Sequence, residues 1–231
     1  RLRLADIQEA EGVDHEFVKV DISELDQVVA AAEGMDAIIN LCVERRDRRL
    51  AFDISTRGCY NMMVAAVHHG IRRVINTGPH LAVVGSDYRE FDYDLEPDLP
   101  PHPGTHLYSI TKYLGLEICK TFTEQHDVHV MTLLYPHLIP EDQAAGVGTQ
   151  SPPEYRRILG LHINDTAEAC VHALNLDLSR LPSRFEIFFV MADVPHRKFS
   201  IEKTKRILGW HPKRLERFWI KDRTKPAEGE R

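Results

Sequence analysis

Short apolar runs punctuate the chain, and their period changes along it. "LRLADI" (2–7) and "EFVKVDI" (16–22) alternate with a period of two and close on an acid and its neighbour. Each predicts a strand with one covered face. "SELDQVVAAAEG" switches to helical spacing, with Ser23 as the expected N-cap and Gly34 as the stop. "DAIINLC" (36–42), "RRVINTG" (72–78) and "VHVMTLLYP" (128–136) are near-continuous apolar strands, as in a parallel sheet covered on both faces. Segments 53–70 and 108–127 read as the helices between them. Strand and helix thus alternate over residues 1–136, the pattern of a doubly wound α/β sheet. Beyond that point the order loosens. A loop is expected over 140–157, a helix over 164–177, a strand over 185–192 and a short helix over 200–209. Residues 220–231 read as a solvated, disordered tail.

Composition narrows the function classes. The chain has 231 residues, 43% hydrophobic and 28% charged, which suits one large globular domain with at most a small appendage. A net charge of −6 gives no electrostatic case for nucleic acid or an anionic membrane. No apolar run is long enough to span a bilayer and no signal peptide opens the chain, so a cytoplasmic location is expected. Cys42, Cys59, Cys119 and Cys170 are scattered in apolar surroundings without a C-x-x-C, as buried free thiols would be. The 13 histidines lack ligand spacing, and no metal site is expected.

One constellation carries chemistry. In "LYSITKYLGLEICK", Tyr108 and Lys112 lie four residues apart, hence one turn apart on one helix face. An ammonium there would favour the ionised phenol, and a phenol so tuned can move a proton near neutral pH. Alone the pair also fits an ordinary surface contact. On the same helix Ile110, Leu114, Ile118 and Phe122 form an apolar stripe, with Leu107 and Leu116 off it. Such a helix either covers the sheet and meets a partner subunit, or is simply deeply buried.

Taken in order, "LADI", "VDI", "DAIINLC", "STRGCYNMMVAAVHHGIRRVINTG", "YSITK", "HINDTAEACVHAL" and "ILGWHP" resemble the extended short-chain dehydrogenase/reductase family, of the NAD-dependent epimerase/dehydratase type. Within it the chain is most similar to uronate dehydrogenase-like members. The resemblance implies a Rossmann-type fold with a core over 1–136 and a small substrate-binding portion over 137–219. It implies an enzyme that binds NAD and acts on a hydroxyl of a sugar, sugar acid or nucleotide sugar. Tyr108 would be the acid/base and Lys112 its tuner and a ribose donor. Asp6 and Ile7 would meet the adenosine ribose, where a carboxylate repels a 2′-phosphate and so favours NAD over NADP. Asp21 and Ile22 would border the adenine. Leu41, Cys42, Val43, Ser55, Tyr135 and His137 would line the rest of the cofactor's path. Arg156, with Arg157 beside it, matches a guanidinium that pairs with a sugar carboxylate, and the same fork suits a phosphate. A homodimer through the 53–70 and 108–126 helices is implied as well. Asp6 and Asp21 could equally be strand terminators, and Cys42 a core thiol.

The sequence departs from the family pattern in four places. The G-x-x-G-x-x-G turn that brings backbone to a pyrophosphate is missing; "GVGTQS" at Gly146 follows no strand. The expectation is therefore of a truncated form, lacking a first strand, loop and helix; a complete chain would lack the sheet's central strand. The Ser or Thr that bonds the reacting oxygen is replaced within "NTGPH", leaving Thr77 or His80 for that role and His80 as a substrate contact. The helix-opening asparagine is Ser55, and the arginine before the post-strand proline is Tyr135. These departures support an alternative expectation, a catalytically impaired relative that binds or regulates.

Overall fold

A computed structural model describes residues 1–9, 12–86, 95–140, 160–193 and 198–214. Four strands, β3 (Ala37–Asn40), β4 (Arg73–Pro79), β5 (His129–Tyr135) and β8 (Phe185–Phe189), form one parallel sheet in the order β3-β4-β5-β8. β1 (Arg3–Asp6) and β2 (Glu16–Lys19) form a separate parallel pair, and β6 (His137–Ile139) pairs in parallel with β7 (Gly160–His162). Among the described residues no ladder joins β1 to β3.

The apolar runs of β4 and β5 are explained by their two covered faces. Val74 and Val130 point into a cluster with Val28, Met62, Met63 and Cys119. Their chain neighbours Ile75 and Met131 point the other way, onto Ala169, Ala173, Ile207 and Trp210. The first layer comes from α1 (Leu25–Ala32), α3 (Gly58–His68) and α5 (Leu107–Gln125). The second comes from α6 (Ile163–Asn175) and α7 (Glu202–Leu208). This is the mixed α/β, doubly wound arrangement expected from the pattern. β8 lies beyond residue 136 yet adds the fourth strand to the core sheet, so the C-terminal portion is built into the same layers.

Several local expectations change. Ser23 does not cap α1. The N-cap is Glu24, and the Ser23 hydroxyl bonds Asp21 at 2.8 Å. The helix expected from residue 53 starts at Arg48, because Asp47 caps α2 (Arg48–Phe52) through Leu50 N–H at 2.9 Å. A π-helical turn over Asp53–Arg57 then links α2 to α3. On α5 the deeply buried positions are Ser109, Thr111, Lys112, Gly115, Leu116, Cys119 and Thr123, not the Ile110–Leu114–Ile118–Phe122 stripe. Small residues face inward because the helices approach closely: a Cβ on Gly115 would lie 2.4 Å from the Ser55 carbonyl oxygen. The expected tail over 220–231 lies outside the described residues, and so does "GVGTQS". No described helix is long and apolar enough to cross a membrane.

Candidate active site

In a parallel sheet the backbone at the carboxyl ends of the strands opens into a crevice, and ligands bind there. Most of the sequence-predicted site residues lie at these ends. Asp6 closes β1, with Ile7 after it; Asp21 and Ile22 follow β2; Leu41, Cys42 and Val43 follow β3; Thr77 lies near the end of β4, His80 just past it, and Tyr135 closes β5.

The loop after β3 is held by a buried polar network. Asn40, 4% exposed, donates to Asn76 Oδ1 at 3.0 Å, and its own amide oxygen accepts from Cys42 N–H at 3.1 Å. Thr77 Oγ1 donates to the Asn40 carbonyl at 2.7 Å. Lys112 reaches this network from α5. Its ammonium donates to the carbonyls of Cys42 at 2.7 Å and Thr77 at 3.1 Å. Burial pushes Lys112 below the ordinary lysine range. The lysine thereby ties α5 to the ends of β3 and β4.

Tyr108 is half-buried one turn before Lys112. Burial raises its phenol, and the nearby Arg45 charge opposes that rise without reversing it. The Arg45 guanidinium carbon lies 4.9 Å from the ring centroid. Arg45, outside the expected site residues, is thus the cation against this ring, and Lys112 is bonded to the two carbonyls.

Two expected residues turn away from the crevice. Thr77 directs its hydroxyl to the Asn40 carbonyl. His80 is 7% exposed, with Nδ1 3.2 Å from the Tyr135 carbonyl and its ring edge-to-face with Phe199 at 5.3 Å. The apolar run "LAVV" after it folds into α4 (Leu81–Val84) and draws the histidine inward. Burial pushes its imidazole down to about 4. The sign is that of a group neutral in the fold. The unfolded chain binds the proton near pH 6.5, the folded chain only near 4. His80 therefore contributes stability above pH 6.5, and that contribution, about 3 kcal/mol, is lost as pH falls through this window. Denaturant midpoints of His80→Phe should fall less steeply than wild type between those limits; parallel curves would contradict the placement.

The remaining expected residues divide. The Tyr135 hydroxyl contacts Cys170 Sγ at 3.3 Å inside the core, so its side chain does not face the crevice. Ser55 is 1% exposed in the π-turn, and its hydroxyl has no hydrogen-bond partner among the described residues. Asp21 closes a local turn with Ser23, and the Ile22 carbonyl accepts from Asn61 Nδ2 at 2.9 Å. His137 is exposed at the start of β6. Arg156 and Arg157 lie outside the described residues.

Large apolar side chains remain open at the strand ends. Ile7, Leu41 and Val43 are 54%, 64% and 45% exposed, large apolar side chains presented at strand ends where flat rings can pack. Asp6, also exposed, closes β1 with a carboxylate that can accept from a ribose diol. Among the described residues no group of three His, Cys, Asp or Glu could hold a metal ion.

Known proteins share this fold. A uronate dehydrogenase of Pseudomonas syringae pv. tomato is 28% identical over 148 residues, covering 62% of this chain and 52% of that protein. The chain thus spans about half the length of that curated relative. A mutant uronate dehydrogenase from Agrobacterium tumefaciens complexed with NAD superposes with a TM-score of 0.72 at 19% identity, covering 99% of this chain and 82% of that one. UDP-glucose 4-epimerase from Thermotoga maritima, solved with UDP-glucose, gives 0.70 at 14% identity, covering 91% and 85%. At such identities the likeness is one of fold. The family pattern itself matches residues 3–159: the chain belongs to the NAD dependent epimerase/dehydratase family.

Proposed function

We propose that the protein catalyses NAD-linked oxidation or epimerisation at a hydroxyl of a sugar, sugar acid or nucleotide sugar, with Tyr108 as the acid/base. The observation that carries this reading is the anchoring of α5. Lys112 fixes the helix to the carbonyls of Cys42 and Thr77, so Tyr108, one turn earlier on the same face, is held beside the crevice. NAD, when bound, supplies the hydride acceptor. Asp6, Ile7, Leu41 and Val43 are the residues that would hold it, with Asp21 and Ile22 at the adenine end. Tyr108 takes the proton of the substrate hydroxyl as hydride leaves the same carbon, and returns it in the reverse step. Arg156, with Arg157 alongside, is the guanidinium proposed for a substrate carboxylate or phosphate.

The experiment is a panel of free uronates and nucleotide sugars incubated with NAD, followed by nicotinamide absorbance and by sugar analysis. Net reduction of NAD indicates a dehydrogenase. An isomerised sugar without net reduction indicates an epimerase. No change with any sugar would contradict the proposal. That outcome would favour a second reading, a binding or regulatory relative, which the inward turn of Thr77 and His80 supports.

The same reading includes a homodimer through the helices of segments 53–70 and 108–126. The apolar stripe of α5 is only half-buried, and Leu114 and Ile118 line a shallow groove with Phe52 and Thr56. Phe52, Leu50 and Tyr60 are each more than two-fifths exposed. Sedimentation should return twice the 26.5 kDa chain mass, and Ile118→Glu should return the single chain; a monomeric wild type would contradict it.

A further inference from the structure

We propose that Asn40 is a positioning residue for the proton transfer: it holds the two carbonyls that seat the Lys112 ammonium, and so sets where that ammonium stands relative to Tyr108. The inference rests on the reading of Tyr108 as the acid/base and Lys112 as its tuner.

Two neighbouring strands carry an amide at the same level. "AIIN" ends β3 and "RVIN" lies in register with it on β4, so Asn40 and Asn76 are direct partners across the ladder. Counting by two, Asn40 shares the sheet face of Ile38, and Asn76 that of Val74, the face covered by α1, α3 and α5. Both amides are buried, 4% and 2% exposed. Apolar residues would fill this layer at lower cost, because a buried amide is tolerated only when it is bonded.

The bonds of Asn40 lead to Lys112. Its Nδ2 donates to Asn76 Oδ1 at 3.0 Å and to Cys59 Sγ at 3.6 Å, which fixes the plane of the amide. Its Oδ1 accepts from Cys42 N–H at 3.1 Å, and its backbone carbonyl accepts from Thr77 Oγ1 at 2.7 Å. Cys42 and Thr77 are the two residues whose carbonyls accept from Lys112, at 2.7 and 3.1 Å. One residue therefore holds both acceptors, although they belong to different strands. A lysine stem is flexible, and its ammonium stays in one place only if its acceptors do. Two of the three ammonium donors are used in this way, and the third is left for a ribose hydroxyl or the phenol. Misplacing a catalytic group by about 1 Å costs up to about 10²-fold in rate.

The test is a double-mutant cycle of Asn40→Ala and Lys112→Met, read by spectrophotometric titration of tyrosinate, with Tyr108→Phe as the blank for the other tyrosines. The charges near Lys112 are the thiols of Cys59, Cys42 and Cys119 and the Arg45 guanidinium, which also lies over the Tyr108 ring. Asn40→Ala exchanges one neutral residue for another and alters none of them, so a shift reports the position of the ammonium. Asn40→Ala should raise the Tyr108 titration by roughly one pH unit, Lys112→Met at least as far, and the double variant no further than Lys112→Met alone. On a turned-over sugar, Asn40→Ala should lower kcat about tenfold or more. A Tyr108 titration unchanged in Asn40→Ala, or a double variant that shows the sum of the two shifts, overturns the proposal and leaves Asn40 a merely structural amide. Where Asn40→Ala does not give the wild-type circular dichroism, Asn76→Ala replaces it in the same cycle, because it removes the anchor of the Asn40 amide and keeps its bond to Cys42. The titration needs no turnover. A protein inactive on every sugar would overturn the reaction reading, and the cycle would still decide whether Asn40 seats Lys112.

Discussion

Tyr108→Phe should lower turnover by roughly 10²–10⁴-fold while NAD affinity stays within about threefold of wild type. The phenyl ring keeps the packing of the tyrosine and loses only the oxygen. What disappears is the oxygen proposed to accept the substrate proton. Arg45 is exposed and keeps an aromatic ring under its guanidinium, so losing the oxygen costs little stability. Lys112 keeps its two carbonyl partners, and the crevice at β3 and β4 keeps its shape. The loss should therefore fall on kcat and leave cofactor binding intact, the split expected of a residue that acts in the transition state. Steady-state rates and a cofactor titration on the same preparation check it. Turnover equal to wild type would end the assignment of Tyr108.

Gly115→Ala should be the most damaging small substitution on α5. The new Cβ would lie 2.4 Å from the Ser55 carbonyl oxygen and 2.9 Å from Cys59 Sγ. The first obstacle is backbone in the π-turn, which cannot rotate aside, so the two helices must separate. Overpacking of this kind costs about 1–3 kcal/mol or more, which for a domain of this size lowers the melting temperature by roughly 2–12 °C. The separation also lifts the helix that carries Tyr108 and Lys112, and activity should fall further than stability. Gly58→Ala is the contrast. Its Cβ would meet only side-chain atoms of Ile22, the nearest at 2.8 Å, which can shift rotamer. Thermal melts should rank Gly115→Ala well below Gly58→Ala; equal melting temperatures would contradict the close helix contact.

The layered sheet was legible because its cause is local. Strands covered on both faces need apolar residues at nearly every position, and "RVINT" and "VMTLLY" state that outright. The Tyr108–Lys112 spacing was legible for the same reason, since helix geometry fixes which positions share a face. What each side chain bonds was not. The ammonium of Lys112 goes to two carbonyls from different strands, a choice set by tertiary structure and invisible in a four-residue spacing. Arg45 is not legible because "ERRDRR" reads as a solvated charge run. In the fold Glu44 and Asp47 both bond backbone N–H groups and the Arg45 guanidinium lies over the Tyr108 ring. The buried face of α5 is not legible from apolar size alone. Where two helices touch at backbone distance, Gly115, Ser109 and Cys119 are the core residues, and the larger Leu114 and Ile118 are left half-covered. The burial of His80 has a readable signal: the apolar "LAVV" after it marks a segment turning into the core.

The family membership and the fold make a cofactor claim that one experiment reaches most directly. Calorimetric titration of the folded protein with NAD, and separately with NADP, tests the crevice at the ends of β1 and β3. Saturable binding of NAD is expected, about tenfold or more tighter than NADP, because an exposed carboxylate at Asp6 would accept from a ribose diol and repel a 2′-phosphate. No saturable binding of NAD, or equal binding of the two, would contradict it.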